Sequence, residues 1–502
     1  MDALTFLAFS PILLIVILLL VFRKPLLMAA PVTFLYTLIL ALAKWDVVMV
    51  YAKASIFRGF LVAVDITFII FGAIFFLEFL KRTKIIDSIE AHLSSVSPDR
   101  RIQAIILCWF LVSFIEGTAG FGTPAAIVAP LLVALGFPAV TAVALALIGD
   151  SASVIFGAVG TPIRVGFAGL DVMGVAFYAG LITLFIGVLV PIMILWVLVK
   201  SRKDSNKGDF KEVLPFAVYA GFAMTVPFFL LTYVGQEFPS LVAPLIGLLI
   251  VVYTTKKGFL VPKNVMRFGK STVHNSKKSG LLKSFFPYAL LVVLLIIGKF
   301  VLKSYPVKLL GVVNHSINFY NPGFFFILTI VLVTIFFRHK IVDVFSSASD
   351  AVKVLIKPLT VIFFITAFVQ IMVHSGNNWS GFQGMIAIIA EAANTRALPF
   401  VAPFIGVFGA FIAGSATVSN LLFGQFQASS ASILGFDVAI ILSLQIVGAG
   451  IGNMIALTNI VAAQATVKLH GEERAILRRT FWPAMLYAGA AGLFGLILIY
   501  LL

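Results

Sequence analysis

The chain has 502 residues, of which 61% are hydrophobic and only 11% charged; a water-soluble core of this length could not bury so much apolar surface, so lipid is the solvent for most of it. The net charge of +16 would suit nucleic acid, but its distribution between loops, set out below, assigns it to an anionic membrane surface. A single cysteine, Cys108, excludes an internal disulfide and a thiolate metal cluster, and the histidines show no metal-ligand spacing.

Twelve apolar runs read as membrane-crossing helices, near 4–22, 26–43, 61–80, 139–162, 174–199, 213–233, 240–255, 285–302, 322–337, 358–375, 438–460 and 480–500. The first ends at Arg23-Lys24 with no small-residue cleavage site after it, so it is expected to stay as an extra N-terminal helix, residues 1–25. With both termini outside, the loops 23–24, 81–101, 200–212, 256–283, 338–357 and 461–479 fall in the cytoplasm. They hold 28 of the 36 Lys and Arg residues against 7 in the outside loops, with Lys299 left inside a helix. That asymmetry satisfies the positive-inside rule and predicts a multi-pass protein of the cytoplasmic membrane.

Two further apolar pairs have arms too short to cross. In 102–137 the arms Ile102 to Glu116 and Ala125 to Gly136 would rise only about 18–22 Å as helices, against a hydrocarbon thickness of about 30 Å. Between them lies Gly117-Thr118-Ala119-Gly120-Phe121-Gly122-Thr123-Pro124, with Thr123 placed as N-cap and Pro124 at the first helical position. The pair 397–436 repeats the plan, its tip reading Gly414-Ser415-Ala416-Thr417-Val418-Ser419-Asn420. A span interrupted by small residues follows each pair: Gly149-Asp150-Ser151-Ala152-Ser153 through Gly160-Thr161-Pro162-Ile163, and Gly448-Ala449-Gly450-Ile451-Gly452-Asn453 through Thr458-Asn459. Three spans between the halves invert the second copy. The expected fold is therefore an all-α polytopic membrane protein, with about twelve helices and two re-entrant hairpins in an inverted repeat of 26–200 and 322–502 joined by 201–321. This is a transporter architecture with one site at mid-depth. Two very short ordinary spans per pair are the alternative.

Only Glu116 and Asp150 among the acids lie deep in apolar segments. An intramembrane carboxylate faces a water-filled cavity or a partner, which makes these two the candidates for ion coupling; a structural role in capping the tip is the alternative. No basic residue lies at mid-depth, the nearest being Arg164, so backbone N–H groups at the hairpin tips are left to hold an anion. The candidate binding set is Gly117, Thr118, Gly120, Phe121, Gly122, Thr123, Arg164, Ser415, Thr417, Ser419 and Asn420, with Gln425, Gln427, Gln445 and Asn453 as weaker members. Tip carbonyls and hydroxyls would equally suit a sodium ion.

The run Phe114-Ile115-Glu116-Gly117-Thr118-Ala119-Gly120-Phe121-Gly122-Thr123-Pro124, with Ala129-Pro130-Leu131-Leu132 after it, Ser97-Pro98-Asp99-Arg100-Arg101 before it and Gly157 to Ile163 beyond, resembles the signature of the L-lactate permease family. The resemblance implies proton-coupled uptake of lactate, glycolate and related 2-hydroxy-monocarboxylates, with Glu116 and the glycine-rich tip functional. Asp150 and Arg164 depart from the family's pattern, where a neutral polar and an apolar residue are usual.

The expected partners are a small carboxylate anion, a proton or sodium ion and membrane lipid, with a homodimer left open and neither nucleic acid nor cofactor. A sodium-coupled carboxylate symporter or a cation/proton antiporter of the same fold is the rival function. An enzyme is not expected, because no GxSxG, HExxH or P-loop pattern occurs.

Overall fold

The computed structural model describes residues 3–93, 95–120, 122–168, 170–202, 207–267 and 281–501. Among them, ten helices are long and apolar enough to cross a membrane, or twelve if two bent pairs each count as one span. Large apolar side chains such as Ile39, Leu249 and Ile335 lie exposed on the helix exteriors, which is where lipid replaces water as solvent. The chain is a multi-pass, all-α membrane protein. All twelve expected runs are helical, though Pro322–Phe337 has only 16 residues. The run expected as 139–162 is a pair, Ala139–Asp150 and Ser153–Arg164, bent by 47°.

Two helices, Met49–Arg82 and Ile341–His374, each extend to 34 residues, about 51 Å and well past the apolar cores seen in the sequence. They pack closely because Gly59 has no side chain: a Cβ there would stand 2.8 Å from the backbone of Ala367. Each is followed by a short amphipathic helix, Ile85–Leu93 or Met385–Ala392, then by a pair of helices with a short junction, then by a broken helix. The first pair is Arg100–Thr118, with a π-helical turn over Ile106–Leu111, and Thr123–Ala134. The second is Leu398–Ala413 and Ala416–Leu434. Arg100–Thr118 is longer than the arm that the sequence suggests, and it would cross by length alone. It is buried along its whole length, however, which sets it apart from the lipid-facing helices around it.

The base of the first pair explains the motif Ser97 to Arg101. The Asp99 carboxylate accepts the Arg101 N–H at 2.8 Å and caps the helix. The buried Arg101 guanidinium pairs with Asp99 at 2.8 Å and Glu212 at 3.2 Å and donates to the Asn264 carbonyl.

Contacts between loops fall into two sets. Arg82 pairs with Asp350, and Arg101 with Glu212, all in loops that parity assigns to one side. On the other side Val48 N–H donates to Asn377 O at 3.0 Å, and Trp45 Nε1 to Gln383 O at 2.9 Å. There too Lys299 finds the buried Glu237 at 2.9 Å, which accounts for a lysine that the charge pattern leaves unexplained. This second face also carries an antiparallel hairpin, Ser304–Leu309 with Val313–Asn318, where the sequence suggests only a loop.

Glycine lets each broken helix touch its neighbouring hairpin arm. A Cβ on Gly149 would lie 1.8 Å from the Cys108 carbonyl oxygen, and one on Gly448 1.9 Å from that of Pro403. Gly489, by contrast, has open space around it. Replacing Gly149 or Gly448 by Val is expected to lower stability by at least about 3 kcal/mol, since rigid backbone must move to admit the side chain. Gly489→Val is expected to be neutral. Thermal unfolding of the three detergent-purified variants checks this; an unchanged midpoint for Gly149→Val would contradict it.

Candidate functional site

At the first tip the helix closes with Gly120 N–H on the Glu116 carbonyl at 3.0 Å. Gly120 and Gly122 then take φ values of 58° and 75°, which an L side chain adopts only with strain. Thr123 does not cap as the sequence suggests: its hydroxyl donates to the Gly120 carbonyl at 2.8 Å, and Gly122 holds the capping position. At the second tip Gly414 (φ 69°) ends the helix, and a Cβ there would lie 2.0 Å from Thr458 Oγ1. Ser415 is the N-cap, its hydroxyl accepting the Val418 N–H.

Opposite the tips lie the two helix breaks. In the first, Val159 adopts φ 50°, ψ 47°, a left-handed conformation that costs a β-branched residue about 1–3 kcal/mol. In the second, Ala456 leads into Leu457–Thr466. The tips and breaks enclose a cavity of about 120 Å³ whose polar lining comes from Glu116, Thr161, Ser415, Thr417 and Asn453. At about 30 Å³ per water, that is room for a solute of a few heavy atoms. The N-termini of Thr123–Ala134 and Ala416–Leu434 both open beside it, bringing first-turn backbone and the positive ends of two helix dipoles.

Glu116 and Asp150 are both buried and lie close enough to interact. Asn453 Nδ2 donates to Asp150 Oδ2 at 3.4 Å, and Asn459 Nδ2 donates to Asn453 Oδ1 at 2.6 Å, continuing the chain into the second half. Glu116 Oε2 and Asp150 Oδ1 are buried without a partner.

Of the residues singled out in the sequence, Glu116, Gly120, Gly122, Ser415 and Thr417 line the cavity. Asp150 sits behind it on Glu116 and Asn453. Gly117 is a packing position, its missing Cβ leaving space for the Ser240 carbonyl. The Thr118 hydroxyl turns back to Ile115 O at 2.9 Å. Ser419 donates to Gly406 O and accepts from Gln445, while Asn420 donates to Pro162 O at 2.9 Å. Arg164 lines a different pocket, pairing with Asp65 at 3.8 Å. Phe121 lies outside the described residues. Sequence reasoning misses Thr161 and Asn459; the Thr-Pro and Thr-Asn steps at the two breaks are the signal that could have found them.

Two helix-pair tips and two broken helices closing on one polar cavity are the arrangement expected of a multi-pass membrane transporter. The chain belongs to the L-lactate permease family, whose model matches residues 4–309 and 305–502. A Haemophilus influenzae protein is 30% identical over 86% of each chain. The L-lactate permease of Escherichia coli is 28% identical over 94% of this chain and 92% of its own. The glycolate permease GlcA of the same organism is 27% identical over 94% and 91%. These relatives are named permeases, transporters and not enzymes, and this chain is a transporter likewise.

Replacing Asn453 by Leu strands the Asp150 carboxylate and the Asn459 amide. Each stranded group is expected to cost about 1–3 kcal/mol, seen as a lower thermal midpoint in detergent. An unchanged midpoint would mean that the chain of polar contacts across the two breaks contributes nothing.

Proposed function

We propose that the protein carries lactate, glycolate or a related 2-hydroxy-monocarboxylate into the cell together with a proton, across the cytoplasmic membrane with both termini outside. The observation that carries this reading is the cavity itself. Two helix N-termini offer N–H groups and positive dipole ends to a carboxylate, Ser415, Thr417 and Thr161 offer hydroxyls to a neighbouring 2-hydroxyl, and the Glu116 carboxyl, with the buried Asp150 behind it, forms part of the wall. The names of the bacterial relatives, lactate and glycolate permeases, agree with a small hydroxy-acid.

Glu116 is the coupling residue on this reading. It lines the cavity, so a proton on it screens the wall against the arriving anion; Asp150 and Asn453 behind it supply the place to which that proton is shared. The matching order of elements in the two halves supports an inverted repeat of 26–200 and 322–502. The hairpins and broken helices, about 101–162 and 397–460, would then move as one unit against the long helices. Asn420 on Pro162 O and the close approach of Gly450 to Ser151 O, where a Cβ would lie at 2.6 Å, tie the two halves of that unit together.

Proteoliposomes containing the protein are expected to accumulate radiolabelled lactate when a proton gradient is imposed. Glu116→Gln is expected to abolish accumulation while leaving lactate/lactate exchange, because a permanently neutral amide carries no proton; Asp150→Asn is expected to have a smaller effect. Accumulation driven by a sodium gradient alone, or wild-type accumulation by Glu116→Gln, would contradict proton coupling at this site.

A further inference from the structure

A second and larger cavity, about 1380 Å³ and open, lies on the membrane face that carries the β-hairpin. Its charged and ionisable lining is Arg58, Asp65, Arg164, Asp171, Lys308 and His315. The acids there are already engaged: Asp65 accepts from Asn321 Nδ2 at 2.8 Å, and Asp171 from the Met173 N–H at 2.9 Å. The guanidinium groups are not satisfied. Arg58 Nε and Arg164 Nη2 are buried with no hydrogen-bond partner, and the nearest acid to Arg164, Asp65, stands at 3.8 Å, beyond hydrogen-bonding range. The Arg164 side chain is only 11% exposed and lies over the Tyr320 ring, 5.8 Å from its centroid, a partly buried setting where water screens its charge less than at the surface. A buried guanidinium with open N–H positions is a carboxylate receptor in waiting, because its planar fork matches the two oxygens of that group.

The two cavities share an element. Thr161 and Pro162 line the central one, Arg164 and Val165 the larger one, so one turn of helix, about 5 Å of rise, separates them. Asn420 holds that turn through Pro162 O.

We propose that this vestibule is a separate anion-binding site, in which Arg58 and Arg164 capture a small monocarboxylate before it enters the central cavity. The identity of the anion rests on the transport reading above; the existence of the site does not. Capture by fixed cations raises the local anion concentration and the association rate, with an effect that fades as salt rises. Lys308, on the hairpin rim, adds to the field.

Accessible-thiol labelling tests it without relying on transport. Cys108 is fully buried, so a thiol introduced by Ser316→Cys, at an exposed position that lines the vestibule, is the one a soluble reagent meets. In Ser316→Cys protein a negatively charged methanethiosulfonate is expected to react about tenfold faster than a positively charged one of similar size, the scale expected of electrostatic steering. Lactate is expected to slow that reaction, and more than equimolar chloride does. Adding Arg58→Gln or Arg164→Gln should remove both the preference and the protection; Arg58→Lys should keep most of the preference. In uptake assays Arg58→Gln should raise the lactate KM by about tenfold with the maximal rate within about twofold, as expected for a lost charge-assisted contact made on entry. Equal rates for the two reagents, or a preference and protection that survive Arg58→Gln, would overturn the vestibule site. Lactate protection of the introduced thiol in a Ser316→Cys protein that transports no lactate would instead uphold the site and overturn the transport reading.

Discussion

A helix that stops inside a membrane leaves N–H and C=O groups with no water to bind, and each one left unpaired there costs several kcal/mol. This chain gathers four helix ends around one small polar cavity, two tips and two breaks, and polar side chains nearby satisfy several of their backbone groups. The Thr123 hydroxyl takes the Gly120 carbonyl and the Ser415 hydroxyl takes the Val418 N–H. Ser153 donates to Asp150 O at 2.9 Å, Ser240 to Ser153 O at 2.6 Å, and Asn459 to Asn453 O at 3.2 Å. What remains open to a solute is a small set: the N–H groups at two helix starts, a few hydroxyls, and the Glu116 carboxyl. Closing the stops and shaping the site are therefore one task, done by the same residues.

The same constraint says which parts of the fold are legible in the sequence. The two helix pairs can be read because glycine-rich tips separate their apolar arms, and the breaks because Gly160-Thr161-Pro162 and Gly452-Asn453 interrupt otherwise apolar spans. The twelve helices follow from apolar length and loop charge. The strands Ser304–Leu309 and Val313–Asn318 do carry an alternating signal in Tyr305, Val307 and Leu309, but each is only six residues long, and Pro306 within the first argues against a strand. Thr123 reads as a cap in the sequence, but Gly122, with its positive φ, occupies that position.

The individual site residues are less legible than the region, since composition alone cannot tell a hydroxyl that binds backbone from one that faces a cavity. Ser419 and Asn420 look like ligands in the sequence and act as ties between helices in the structure. Arg164, one turn past Thr161, reaches the vestibule and not the cavity. Glu116 and Asp150 stand out because burying a carboxyl in lipid demands a reason. Their proximity needs the fold, and so does the bond from Asn453 to Asp150, which joins one half of the chain to the other.

The central claim is that the carboxyl pair and the anion site are linked, so that filling the cavity with a carboxylate changes the proton count of the pair. Linkage of this kind is measured as protons taken up per anion bound. In weakly buffered detergent solution, with a pH indicator present, saturating wild-type protein with lactate should draw about one proton per molecule bound, and the same titration of Glu116→Gln should draw none. Lactate binding with no proton uptake in the wild type, or with equal uptake in Glu116→Gln, would contradict the account.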